Sequence, residues 1–248
     1  METRLHLEIL PQPDNVTCGP TCLHAVYQYF HDRLPLPQVI QESPRLEGGG
    51  ALSVQLACHA LRRGYQATIY TWDLHVFDPT WFRPQSPPLR ERLALQLEAK
   101  GGEKLRIATD AYLEYLQLGG RVRMEEFTPG LIRQYLSHSV PILTGLSATY
   151  LYNAAREYGA NCDADDVRGY PVGHFVVLCG YDAVRREVLV ADPFLQNPLG
   201  PEHFYEVSVD RVIRAILLGV ITYDANLLII QPQRSEKGVA RVGTDRRE

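Results

Sequence analysis

A cysteine followed by glycine and proline at the head of an apolar helical run constrains this chain more than any other feature. In Gln12–Phe30, QPDNVTCGPTCLHAVYQYF, a polar loop leads straight into Cys18-Gly19-Pro20. Cys22, Leu23, Val26, Tyr27 and Phe30 then recur at helical spacing, which predicts a helix from about Gly19 to Phe30 with one buried face. Cys18 falls at or just before its amino end. Unpaired N–H groups and the positive end of the helix dipole stabilise a thiolate there, so the position suits a nucleophile. Pro20 fits the first turn, where its missing N–H is not needed. Gly19 lets backbone and substrate approach closely beside the sulfur.

A cysteine that attacks a carbonyl needs an imidazole to share its proton and a third group to orient that imidazole. It also needs donors where the oxyanion develops. Val172–Tyr181, VGHFVVLCGY, is a nearly continuous apolar strand with His174 at its start. Glu187–Ala191 is a second strand, and the turn carrying Asp182 and Arg185-Arg186 makes the pair a hairpin. Asp192 closes that second strand, so the hairpin brings it beside His174. Asn153, Asn161 and Asn197 are the substitutes for the orienting role.

Three separated stretches, in this order, resemble the C39 group of papain-like cysteine peptidases, which process bacteriocin leader peptides, and in particular its free-standing members. They are Gln12 with Cys18-Gly19-Pro20, Gly173-His174 with its apolar strand, and Asp192-Pro193. The resemblance implies Cys18 as nucleophile, His174 as base, Asp192 as orienting group, and Gln12 with the Cys18 N–H as oxyanion donors. It implies an α+β, papain-like fold, with the nucleophile helix packed on an antiparallel sheet. The chain departs from compact members of the group in the long stretch between Cys18 and His174, where about 74–129 matches nothing in the family. Without a transporter segment, the double-glycine specificity of transporter-linked members does not carry over.

The remaining sequence agrees with an α+β class, helices first and hairpins last. Helices are predicted from Leu52 or Ser53 to Leu61, over Leu89–Lys100 and Ile107–Leu118, from Pro129 to about Ser139, and over Val209–Leu218. Strands are predicted at Leu5–Leu10 (or an extended lead-in), Tyr65–Trp72, Arg121–Glu125, Pro141–Leu146 and Asn226–Gln231. The run Leu34-Pro35-Leu36-Pro37 ends the first helix. The expected organisation is one catalytic domain over 1–232, a mainly helical insertion at about 74–129, and a disordered polar tail over 233–248.

A net charge of -4 gives no overall field favouring nucleic acid. Five cysteines in 248 residues argue against a disulfide framework, and the charged amino end does not read as a secretory signal, so the expected location is cytoplasmic. No apolar run is long enough for a membrane span. No cofactor and no metal are expected: Cys18, Cys22 and His24 do not share one helical face, and NCDADD lacks the glycine and terminal glutamate of a calcium loop. Cys22 and Cys179 read as core thiols, Cys58 beside His59 as helix packing, and Cys162 as a loop residue. The segment Ser147–Pro171, rich in tyrosine, is expected as a cleft wall or flap, with Trp72, Trp81 and Phe82 lining the other side. The expected partner is a peptide or peptide-like substrate, and the oligomeric state is open. Cysteine-dependent hydrolysis, acyl or γ-glutamyl transfer at the same site, and an inactive peptide-binding domain are the readings carried forward.

Overall fold

The computed structural model of the chain describes residues 2–44, 46, 50–222 and 224–233. The polar tail expected over 233–248 lies, but for Gln233, outside them. Strand β1 (Glu2–Arg4) leads into an extended segment in which Leu5, Leu7 and Ile9 alternate inward. Helix α1 (Cys18–Tyr29) follows, then α2 (Leu36–Glu42), α3 (Ser53–Arg62) and β2 (Tyr65–Thr71). Two helices, α4 (Leu89–Lys100) and α5 (Glu103–Gln117), precede β3 (Arg121–Arg123), α6 (Pro129–Ser137), β4 (Ile142–Ser147) and the short α7 (Ala148–Tyr152). A small hairpin of β5 (Glu157–Tyr158) and β6 (Asp163–Ala164) leads to β7 (Gly173–Asp182), β8 (Glu187–Ala191) and β9 (Phe204–Ser208). Helix α8 (Val209–Leu218) and β10 (Asn226–Pro232) close the described chain.

Eight strands form one sheet in the order β3-β2-β10-β4-β7-β8-β9, with β1 pairing the far end of β7. Every pair is antiparallel except β2 with β3. The class is therefore α+β, with helices packed on a mostly antiparallel sheet, and α1 lies against β7. Strand β7 is buried along nearly its whole length because it has neighbours on both edges and helices above it. Its near-continuous apolar sequence follows from that position.

Three expectations change. Helix α1 begins at Cys18 itself, and Cys18 to Tyr27 are all buried, so it shows no single buried face. The cause is its place between the sheet and helices α2 and α3. Gly19 is small for packing: a Cβ there would lie 3.1 Å from Leu56 and 3.2 Å from Phe175, so the helix meets the sheet closely at this point. The proline run after α1 does not only stop a helix. Leu36 and Pro37 start α2, since proline is well tolerated in a first turn.

The helical stretch within 74–129 joins the same core as the rest. Phe77, Leu93, Tyr112 and Tyr115 are buried in the cluster that holds Leu23 and Val26, and α5 packs on α3. The start of α3 is held from a distant part of the chain. Ser53 donates from both its N–H (3.2 Å) and its hydroxyl to Oδ1 of the buried Asp224, which burial raises to about 7. Trp72 stacks on Phe127 at 4.2 Å, while Trp81 and Phe82 pack around Phe77. The ring partners of all three are thus aromatic side chains and not Cys18 or His174.

Candidate active site

Cys18 is the first residue of α1, so its N–H has no acceptor within the helix. Cys18 is buried, at 7% exposure. His174 is the second residue of β7, at the end where that strand pairs with Leu146 of β4. Asp192 follows β8 directly, and eighteen residues separate it from His174. The hairpin closes that gap: His174 Nε2 donates to Asp192 Oδ1 at 2.8 Å. The Cys18 side chain acts on the same ring and favours its charged form. With Nε2 taken by Asp192, Nδ1 is the nitrogen left for sulfur.

Burial opposes a charge on His174. The carboxylate of Asp192 and the Cys18 side chain outweigh it and raise the imidazole to about 10. Burial likewise opposes the charge on Asp192, but His174 and two tyrosines hold it below the usual carboxylate range. The two shifts describe one buried ion pair.

Asp192 is fully buried and accepts four hydrogen bonds. Oδ1 takes His174 Nε2 and the Phe194 N–H (2.9 Å), and Oδ2 takes the hydroxyls of Tyr152 (2.6 Å) and Tyr205 (2.7 Å). A carboxylate so satisfied is fixed in position and stays ionised despite its burial. Tyr152, in α7, and Tyr205, in β9, were not among the residues predicted for the site. Tyr152 belongs to the tyrosine cluster before His174, and only the fold shows that its hydroxyl reaches the carboxylate. Phe194 meets His174 edge to face at 6.3 Å, giving the ring an apolar neighbour.

Gln12 is half-buried beside this group, and its backbone N–H donates to the Pro193 carbonyl at 3.0 Å. The loop before the helix is thereby tied to the loop after Asp192. One hydrogen of the Gln12 amide goes to the Asp14 carbonyl at 2.9 Å, and the second has no partner among the described residues. Of the substitute residues, Asn197 is engaged with the Phe194 and Glu202 carbonyls, and Asn153 caps α7 in the left-handed region. Among the described residues, Asp192 is the orienting candidate that bonds the imidazole.

The other four cysteines are differently placed. Burial pushes Cys22 up strongly and Cys179 up to about 12; their thiols donate to the carbonyls of Phe175 and Leu189. Cys58 is raised to about 12, again by burial, and its thiol points to the Ala111 carbonyl. His59, its chain neighbour, lies between the Tyr27 hydroxyl and Glu42, so the two side chains do not act on one another. Cys162 is exposed, and a hydrogen bond to Glu157 raises its thiol.

No protein-family model and no curated protein matches the chain. Among solved structures, xylellain, a cysteine protease from Xylella fastidiosa, is similar at 14% identity and a TM-score of 0.44, over 94% of this chain and 86% of its own. The peptidase domain of Streptococcus ComA, a bifunctional ABC transporter involved in quorum sensing, gives 12% and 0.43, over 92% of this chain and all of its own. A double glycine motif protease from an AMS/PCAT transporter, in complex with the leader peptide, gives 14% and 0.41, over 93% and 94%. The geometry of the site, and not this likeness, carries the chemistry below.

Proposed function

We propose that the chain is a cysteine-dependent hydrolase of peptide or amide bonds, a free-standing relative of the C39 peptidases, acting through a thioester at Cys18. The observation that carries this is the imidazole of His174, bonded to a buried, fully satisfied carboxylate at 2.8 Å, with the side chain of the helix-start Cys18 acting on the same ring. All five cysteines stand free, which suits the cytoplasm as its location.

In the proposed reaction His174 already holds the proton that Cys18 has given up, and the thiolate attacks the carbonyl carbon. The Cys18 N–H and the free Gln12 amide hydrogen receive the oxyanion. The C–N bond breaks as His174 returns the proton to the leaving amine, and a thioester remains. Water, deprotonated by His174, attacks that thioester. The acid leaves, and the thiol recovers its proton. Asp192 stays ionised throughout and holds the ring.

Two measurements test the reading. Product analysis with a peptide library, with and without a millimolar amine acceptor, should give hydrolysed peptide that disappears in Cys18→Ala. Transfer products dominating with amine would make the protein an acyl or γ-glutamyl transferase, and binding without turnover would make it an inactive peptide-binding domain. The pH profile is the second. His174 must be protonated to release the amine, and its pKa is raised to about 10. The alkaline limb of kcat/KM should therefore lie near pH 10. A limb near 6.5, the ordinary imidazole value, would contradict the buried ion pair.

A further inference from the structure

Beside the catalytic group lies an open pocket of about 650 Å³ that the proposed chemistry does not use. Ser147, Thr149, Tyr150 and Pro171 form one side of it, and Arg211 and Arg214 of α8 form another. The two arginines are three residues apart on the helix, so they share a face. Among the described residues neither makes an ion pair, and no carboxylate lines the pocket. Asp210, the nearest acid in sequence, is turned to Arg186 at 3.2 Å. Two unpaired guanidinium groups in a concave, hydroxyl-lined site form a receptor for a carboxylate.

The position decides which part of a substrate reaches it. Ser147 pairs with Gly173, the residue before His174, and Pro171 stands three residues before His174. At about 3.3 Å per extended residue, the backbone of Pro171 lies at most roughly 10 Å from that of His174. His174 is the group that would protonate the leaving amine, and a fragment following the scissile bond that reached this pocket would meet both guanidinium groups. Tyr150 in its wall and Tyr152 at Asp192 share helix α7, which links pocket and catalytic group through one rigid element.

We infer that Arg211 and Arg214 form a specificity site for a carboxylate carried on the leaving-amine side of the substrate, either its C-terminus or an acidic side chain. This rests on the hydrolase reading, and its test separates the two. Three fluorescent pentapeptides serve as probes: one ending in Glu with a C-terminal amide, one ending in Gln with a free carboxylate, and one ending in Gln with an amide. Their binding to the full chain carrying Cys18→Ala is followed by anisotropy, and their turnover by the unmodified protein is measured alongside.

One or both carboxylate peptides should bind roughly tenfold tighter than the neutral one, with the difference shrinking as salt is raised. In Arg211→Gln/Arg214→Gln the ratio should fall to about one, while Arg211→Lys keeps part of it. Which carboxylate peptide gains identifies the source of the charge. Equal binding of all three, or a preference that survives the double variant, overturns the specificity site. A preference that depends on the arginines without any turnover leaves the pocket standing and removes the hydrolase. Turnover that depends on Cys18 without any preference does the reverse.

Discussion

Replacing Cys18 by alanine should lower turnover by roughly 10⁴- to 10⁶-fold while the protein keeps its fold. The substitution removes one sulfur at the end of a helix and costs about 1 kcal/mol or less in burial, so the melting temperature should barely move. The loss is this large because, among the described residues, no other cysteine is placed to act with His174. Cys22, one helical turn on, is committed to the Phe175 carbonyl and pushed far up by burial. The same turnover assay on Cys58→Ala should show no comparable loss, since that thiol points to the Ala111 carbonyl on another element. A Cys58→Ala variant as inactive as Cys18→Ala would place the chemistry elsewhere.

Asp192→Asn should reduce kcat by roughly 10²- to 10⁴-fold and, unlike Cys18→Ala, should also destabilise the protein. The carboxylate accepts four hydrogen bonds, two at each oxygen. An amide has one acceptor oxygen. If that oxygen keeps His174 and Phe194, its NH₂ meets two tyrosine hydroxyls that both donate in the native site. Breaking a buried pair of this kind costs roughly 3 kcal/mol. His174 also loses its counter-charge, so the alkaline limb should move down from about 10 toward 6.5.

The sign of the pH dependence follows from the two shifts. His174 is raised, so its stabilisation is complete below 6.5 and is lost as pH climbs through about 10. Asp192 is lowered, so its share is present above 3.8 and is lost as pH falls through its depressed value. The difference in stability between the native chain and Asp192→Asn should thus be greatest between 3.8 and 6.5. Urea denaturation at several pH values measures it, and a difference that does not change between pH 5 and pH 10 would contradict the ion pair.

The parts of this account that rest on local pattern were legible in the sequence. The helical period after Cys18, the apolar run after His174 and the strand ending at Asp192 each carry their structure in adjacent residues, and the hairpin then brings His174 and Asp192 together. What depended on distant chain was not legible. Tyr152 and Tyr205 lie 40 and 13 residues from Asp192, and nothing in either segment marks a hydroxyl aimed at a carboxylate. Gly19 stands next to the nucleophile, which suggests substrate access, but its neighbours in space are Leu56 and Phe175. Strand β9 has the alternation of a half-buried strand, but its pairing with β8 is a property of the sheet. The parallel pairing of β2 with β3 is equally non-local, because two helices intervene.

The measurement that bears most directly on the site is competitive alkylation of the native protein with less than one equivalent of iodoacetamide at pH 6, read by peptide mass spectrometry. Accessibility and chemistry make opposite predictions here. Cys162 is exposed, whereas Cys18 is 7% exposed. If His174 and Asp192 activate the sulfur, Cys18 is alkylated first, and His174→Ala abolishes its advantage. Label on Cys162 alone, with Cys18 inert in the native and His174→Ala proteins alike, would contradict a nucleophilic Cys18.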